Sequence, residues 1–212
     1  MPPSARRSTI LTAAERLFRH YGPAKTTMAD IAREAGIGVG SLYIDFSSKD
    51  AIVSELAHDR HGRVLVAMRA VSDRGSSADR LAKMLEVRVL TLLELADGGA
   101  HACDMVLCPS TAVEGAYGKF RQQELALVSA VLRHGAACGE FAVSAPERTA
   151  ELILRCYATL SPPWLFQCER ASVLPLVRAM NALLIQGLLT RSTAAPSRAR
   201  RLQAAPRRQR NG

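Results

Sequence analysis

The sequence predicts an all-α protein, a small N-terminal three-helix unit followed by a larger helical bundle. Nearly every apolar stretch repeats at i, i+3, i+4 and i+7. No run of four to eight residues alternates as a half-buried strand would. A length of 212 residues suits one small module joined to one larger one, each able to bury a core.

The first helix is expected over residues 8–21, where Ile10, Leu11, Ala14, Leu17, Phe18 and Tyr21 share a face before Gly22-Pro23 ends it. A second begins at Thr27, whose hydroxyl can cap while Asp30 favours the positive end of the helix dipole; Gly36 closes it. After Ile37-Gly38, a short segment from Val39 to Phe46 buries Leu42 and Phe46 at four-residue spacing. Ser47 or Ser48 then caps a long helix over about residues 49–71.

Beyond the polar break at 72–77, Leu81, Met84, Leu85, Val89, Leu92, Leu93 and Ala96 mark a helix ending at Gly98-Gly99. A short helix over 101–107 and a longer one over about 113–137 follow, the latter ended by Gly139. Ser144-Ala-Pro-Glu147 reads as a capping box opening a helix to Leu160. After Pro162-Pro163 the last apolar stripe runs from Val173 through Leu176, Val177, Met180, Leu184 and Gly187 to Leu188. The final residues are Ala, Pro, Ser, Gln and Arg with almost no large apolar side chain, a composition expected to stay disordered. The domain division expected is 1–52, 53–191 and an Arg-rich tail over 192–212.

The net charge of +9 invites a nucleic-acid partner, but seven arginines lie in residues 191–212, which leaves +2 for residues 1–190. The five cysteines are odd in number and form no C-x-x-C pair, against both a disulfide framework and a zinc knuckle. No run of about 18 apolar residues occurs and the N-terminus lacks a signal-peptide layout, so a cytoplasmic location is expected.

A helix, a Gly-containing turn and a second short helix have the spacing that lets the second helix enter the major groove while the first braces it. Spacing alone is equally met by a plain packing corner. The residues are more specific: Thr26-Thr27-Met28-Ala29-Asp30-Ile31-Ala32-Arg33-Glu34-Ala35-Gly36-Ile37, followed by Gly40-Ser41-Leu42-Tyr43-Ile44-Asp45-Phe46-Ser47-Ser48-Lys49-Asp50-Ala51-Ile52, closely resembles the DNA-binding signature of the tetracycline-repressor (TetR) family. The resemblance covers about residues 8–56.

It implies a sequence-specific regulator, a repressor released from its operator by a small molecule. It also implies DNA contacts from Arg6, Arg7, Thr27, Gly38, Val39, Gly40, Ser41, Tyr43, Ile44 and Lys49. Gly40 and Ser41 are small enough for close approach, and Ser41 offers a hydroxyl. Tyr43 presents a ring and a phenol, or else is a half-buried core aromatic. Lys49 resembles the family lysine that meets phosphate, or is a solvated first-turn residue, and the Thr27 amide end is a further anion site. Arg6 and Arg7 form a flexible arm on the DNA, or simply a loose start. Two positions depart from the pattern. Gly38 supplies no side-chain oxygen as a cap. Asp45 would repel a duplex unless it points away or pairs with a nearby cation.

The family's C-terminal helices hold a small-molecule cavity and pair across a two-fold axis, which here implies a homodimer through the segments near 147–160 and 171–189. Met105, Cys108, Tyr117, Phe120, Cys156, Tyr157, Trp164 and Phe166 are the candidate cavity residues, suited to an apolar or aromatic effector; scant charge among them speaks against a strongly anionic one. No cofactor, metal or membrane partner is implied. The alternatives are a thiol- or metal-responsive regulator built on His101, Cys103 and Cys108, and a helical enzyme using one of the histidines or cysteines. No G-x-S-x-G, H-E-x-x-H, phosphate loop or dinucleotide fingerprint supports catalysis, and a non-enzyme is expected.

Overall fold

The computed structural model describes residues 3–96 and 111–189. Among these, eight α-helices follow one another: α1 (Pro3–Tyr21), α2 (Met28–Glu34), α3 (Val39–Asp45), α4 (Lys49–Arg69), α5 (Ser77–Ala96), α6 (Thr111–Ala137), α7 (Pro146–Cys156) and α8 (Arg170–Leu188). Two 3-10 turns, Tyr157–Leu160 and Trp164–Gln167, lie between α7 and α8. The described residues contain no strand, only an isolated bridge between Phe141 and Leu189. The helix expected over 101–107, Gly98-Gly99 and the tail over 192–212 lie outside the described residues.

Helix ends follow the chemistry of the chain. Gly36, at φ +67°, adopts the left-handed conformation that L side chains avoid, and lets Ile37 and Gly36 donate back to the carbonyls of Ala32 and Arg33 (3.0 and 3.2 Å). That paired closure fixes the angle between α2 and α3. At the start of α4, Ser48 rather than Ser47 takes the orphan amide, of Ala51, at 3.1 Å.

Two expectations are corrected. Helix α1 begins at Pro3, five residues earlier than the apolar stripe indicates, because Pro is tolerated in a first turn and Arg6 and Arg7 find partners across the fold. The capping box at Ser144 does not form: Ala145 is the N-cap of α7 with no side-chain bond, and Glu147 pairs with Arg133 (3.0 Å). Pro146 does occupy the first turn, and the expected helix tightens to 3-10 geometry from Tyr157 to Leu160.

Two apolar cores result. Ile10, Ala14 and Phe18 of α1, Ile31 and Ala32 of α2, Leu42 and Phe46 around α3, and Ile52, Val53 and Leu56 of α4 form the first. The second contains Val64, Leu65 and Met68 of α4, then the inward faces of α5 to α8. Helix α4 thus belongs to both, and a boundary after residue 52 falls inside it. Val113 of α6 also reaches the first core. Polar bonds cross the second core where helices converge. The Tyr157 hydroxyl donates to Asn181 Oδ1 (2.6 Å), and Asn181 Nδ2 donates to the Ala82 carbonyl (3.0 Å), tying the end of α7 to α8 and α5.

Glu140, just after α6, caps α5 from outside: its carboxylate accepts from the amides of Ser77 (2.7 Å) and Ala78 (2.9 Å). Burial pushes this carboxyl up, but the Ala78 and Ser77 amides outweigh that and hold it below the usual carboxylate range. A lowered folded-state pKa means the stabilisation is complete above the unfolded value, about pH 4.3, and is lost as pH falls through the folded one. Glu140→Gln is expected to lower the melting temperature at pH 7 and to flatten the loss of stability between about pH 5 and pH 3. An unchanged melting temperature at pH 7 would show that the cap carries no weight.

Candidate nucleic-acid interface and interior cavity

Helix α2 opens with a complete capping box. Thr27 Oγ1 accepts from the Asp30 amide (3.1 Å), and Asp30 Oδ2 accepts from the Thr27 amide (3.0 Å) and hydroxyl (2.6 Å). Those Thr27 bonds hold the Asp30 carboxyl below its usual range. The amide end expected as an anion site is therefore already occupied by Asp30. Sequence alone assigns Asp30 only a dipole role.

Helix α3 turns Leu42 inward, with Phe46 behind it, and the opposite face is open: Ile44 is 77% exposed and Tyr43 51%. Tyr43 is not a core aromatic. Val39 and Gly40 are exposed and Ser41 half-buried at the front of the same helix. A Cβ added at Gly38 or Gly40 would meet nothing within 4 Å, so no neighbour inside the chain demands glycine there. The two glycines leave a low surface at the helix's leading edge.

Asp45 does not project a bare charge. Arg6 grips its carboxylate with Nε at 2.5 Å and Nη2 at 3.2 Å, and Arg7 Nη1 donates to its backbone carbonyl at 2.9 Å. Arg7 also pairs with Glu55 of α4 (3.2 Å) and lies over the Phe46 ring, 4.1 Å from its centroid. The Arg6 guanidinium holds the Asp45 carboxyl below the usual range. Arg6 and Arg7 are thus helical residues latching α1 to the end of α3, not a trailing arm.

Lys49 also has a role the signature does not disclose. Its ammonium donates to the carbonyls of Pro23 (2.6 Å) and Thr26 (2.9 Å), stapling the start of α4 to the α1–α2 loop. Of its three protons, two are directed to backbone acceptors.

The bundle encloses a cavity of about 80 Å³ between α4, α5, α6 and the 3-10 segment. Of the candidate residues, Tyr117, Phe120 and Phe166 line it, with Leu92, Leu95, Ser161 and Pro162. Tyr157 is instead fully buried in the core, Trp164 is 54% exposed, and Cys156 is exposed. Met105 and Cys108 lie outside the described residues, as do His101 and Cys103. Among the described residues no group of His, Cys, Asp and Glu is placed to hold a metal ion.

The expectation of scant charge around the cavity is overturned. Arg60, His61 and Arg88 all line it. Arg88 is almost fully buried and pairs through Nε with the buried Glu124, while Nη2 donates to Ser161 Oγ (3.0 Å). His61 stacks on Phe120 (centroids 4.5 Å apart, planes 13° apart). Burial, reinforced by the charges of His58 and Arg60, pushes His61 down to about 4, so it is neutral at pH 7. The chain does carry one signal for Arg88 and Glu124: both fall on apolar stripes, Leu85-Arg88-Leu92 and Phe120-Glu124-Val128, where a charge needs a buried partner.

A braced short helix with an open outer face, carried on an all-helical bundle with an interior cavity, defines the class of helix-turn-helix proteins with an appended helical domain. Residues 10–56 match the family described as "Bacterial regulatory proteins, tetR family". Its N-terminal unit is thus similar to the DNA-binding unit of that family.

Over 55 residues it is 44% identical to the HTH-type transcriptional regulator TtgR of Pseudomonas putida, covering 26% of each chain. Over 57 residues it is 44% identical to the HTH-type transcriptional repressor KstR2 of Mycolicibacterium smegmatis, covering 27% of this chain and 28% of that one. These matches span about a quarter of the relatives' length. The whole fold is similar to that of the transcriptional regulator FadR from Bacillus subtilis in complex with stearoyl-CoA, with a TM-score of 0.69 at 18% identity over 85% of this chain and 98% of that chain.

Replacing Lys49 by Met keeps the aliphatic stem and removes the two bonds to Pro23 and Thr26. A loss of about 1–3 kcal/mol of stability with unchanged helicity is expected, measured by urea unfolding followed by circular dichroism. No loss would mean that the staple contributes nothing to the folded state.

Proposed function

We propose that this protein is a cytoplasmic, homodimeric, DNA-binding transcription regulator, a repressor that a small-molecule effector releases from its operator. The outward face of α3 carries the reading: Val39, Tyr43 and Ile44 are large apolar or aromatic side chains left in solvent on a helix only seven residues long. Such a surface is unfavourable without a partner, and a thymine methyl or base edge in the major groove supplies one. Gly38, Gly40 and Ser41 at the leading edge permit backbone approach to the duplex.

In this reading Arg6, Arg7 and Lys49 flank the helix as phosphate contacts, and Thr27 would join them only by giving up its bonds to Asp30. Each first serves the fold, and Arg6 would exchange Asp45 for a phosphate. Residues 1–52 would then be the DNA-reading unit, 53–191 the effector and dimer unit, and 192–212 a basic tail adding salt-dependent attraction.

A dimer is supported by the open face of the last helices. Leu152 of α7 and Leu176 and Leu183 of α8 are exposed, Leu183 at 72%. Helix α8 is apolar and long enough to cross a membrane by length and composition, but it packs Val173, Val177 and Asn181 against the bundle. A two-fold partner would cover the remaining stripe, and two recognition helices then meet half-sites one DNA turn apart.

Effector control is supported by α4, which lines the cavity through Arg60 and His61 and enters the core that also holds α3 through Ile52, Val53 and Leu56. A change of a few kcal/mol at one end is enough to shift the other. The regulator reading leaves no role for catalysis.

The test is binding to the duplex upstream of the protein's own gene against a scrambled duplex, by fluorescence anisotropy at physiological salt. Preference for the upstream duplex by at least about a thousandfold is expected. Tyr43→Ala should lower that specific affinity by roughly tenfold, the scale of one base contact. Asp45→Asn should leave folding intact and raise affinity for both duplexes by freeing Arg6, with a salt slope steeper by about one. Equal binding to the two duplexes would end the reading, and weaker binding by Asp45→Asn would show that Asp45 itself makes a needed contact.

A further inference from the structure

The cavity between α4, α5, α6 and the 3-10 segment has a chemistry specific to this chain. Arg88, 4% exposed, uses Nε on Glu124 and Nη2 on Ser161, and its Nη1 is buried without an acceptor. His61 of α4, in the same wall, stacks flat on Phe120, and its Nδ1 is likewise buried without a partner. Buried polar groups left without a partner are costly and uncommon in folded proteins.

The walls add two constraints. Among the described residues no carboxylate lines the space: Glu124, whose Oε2 is itself buried without a partner, is not part of the wall, and Glu15 pairs with Arg60 from the α1 side (3.3 Å). The rest of the lining is flat or aliphatic, with Leu92, Leu95 and Pro162 beside the Tyr117, Phe120 and Phe166 rings.

We propose that the effector is a small carboxylic acid, bound as the anion with its carboxylate on Arg88 Nη1 and His61 Nδ1 and its apolar body between Phe120, Tyr117 and Phe166. This rests on the proposed function and names the chemical class of its effector.

A guanidinium nitrogen with a free proton binds an anionic oxygen about twice as strongly as a neutral one. Neutral His61 can serve as a second donor when its Nδ1 carries the proton, a tautomer the ligand would select. Size limits the body. At about 80 Å³ the cavity is smaller than the roughly 150 Å³ that holds a benzene ring in an engineered core. A short acyl chain therefore fits directly, whereas an aryl group must push aside the Tyr117 and Phe166 rings, which are not fully buried. A body that pushes His61 the other way acts on α4, the helix whose first turns share a core with α3.

The test uses the full chain and matched pairs of probes, butyrate against 1-butanol and benzoate against benzyl alcohol, by isothermal calorimetry at pH 7. At least one acid is expected to bind tenfold or more tightly than its neutral match. Arg88→Met would leave Glu124 buried and unpaired, so the informative variant is the double substitution Arg88→Met with Glu124→Leu, which removes the ion pair as a unit. It should melt cooperatively and lose at least tenfold in acid affinity, with alcohol affinity unchanged. His61→Leu should lose part of the acid preference.

Alcohols binding as well as their acids, neither acid binding, or a folded double variant that keeps its acid affinity would each overturn the proposal. Binding of the upstream duplex, measured in parallel without any probe, separates the two readings. If that specific binding persists while the acids fail, only the effector class is wrong; if it is absent, the regulator reading fails as well.

Discussion

One helix serves two cores, and the remaining architecture is arranged around that constraint. The first turns of α4 place Ile52, Val53 and Leu56 in the core shared with α1, α2 and α3, and its last turns place Val64, Leu65 and Met68 in the bundle. Each buried side chain of this size contributes about 1.5–3 kcal/mol, so neither unit can shed α4 without losing a large part of its stabilisation. Between the two sets lie Arg60 and His61, about 12 Å along the axis from Val53 at 1.5 Å per residue. A displacement at the cavity is therefore applied to a rigid element whose other end is seated in the core that also holds α3.

The N-terminal unit is held by polar bonds that fix the direction of its helices as well as their stability. Arg6 and Arg7 tie α1 to the end of α3, Lys49 ties α4 to the α1–α2 loop, and Arg16 pairs with Glu34 between α1 and α2. The pair made by the exposed Arg16 is worth little by itself, whereas the Arg6, Arg7 and Lys49 bonds are partly buried. Arranged around a helix of seven residues, too short to be stable by itself, they define where its outer face points. Asp45 shows how the arrangement works: its charge and its backbone carbonyl anchor two arginines at the end of α3.

Much of this is legible in the sequence because helix periodicity and end signals are local. The apolar stripes of α1 to α6, the Thr27 cap and the Gly36 and Gly139 stops all occur as the chain indicates. The failures are those where a distant residue decides. Glu147 leaves its cap for Arg133, α1 lengthens because Asp45 receives Arg6, and Glu140 caps a helix more than 60 positions earlier. For the interface, the exposed positions of α3 are readable, whereas the occupied amide end of α2 and the stapling role of Lys49 are not. The cavity is the least legible part. Its aromatic side follows from composition, but Arg88 and His61 acquire their character only through burial beside Glu124 and Phe120, which are 36 and 59 positions away.

The central claim is that the open face of α3, presented twice by a dimer, reads DNA. Hydroxyl-radical footprinting of the full chain on its own upstream region tests it most directly. The account predicts two protected patches related by two-fold symmetry, centred about one helical turn or a whole multiple of it apart, both lost when Tyr43 and Ile44 are replaced by Ala. Uniform protection along the duplex, or a footprint indifferent to those two substitutions, would contradict it.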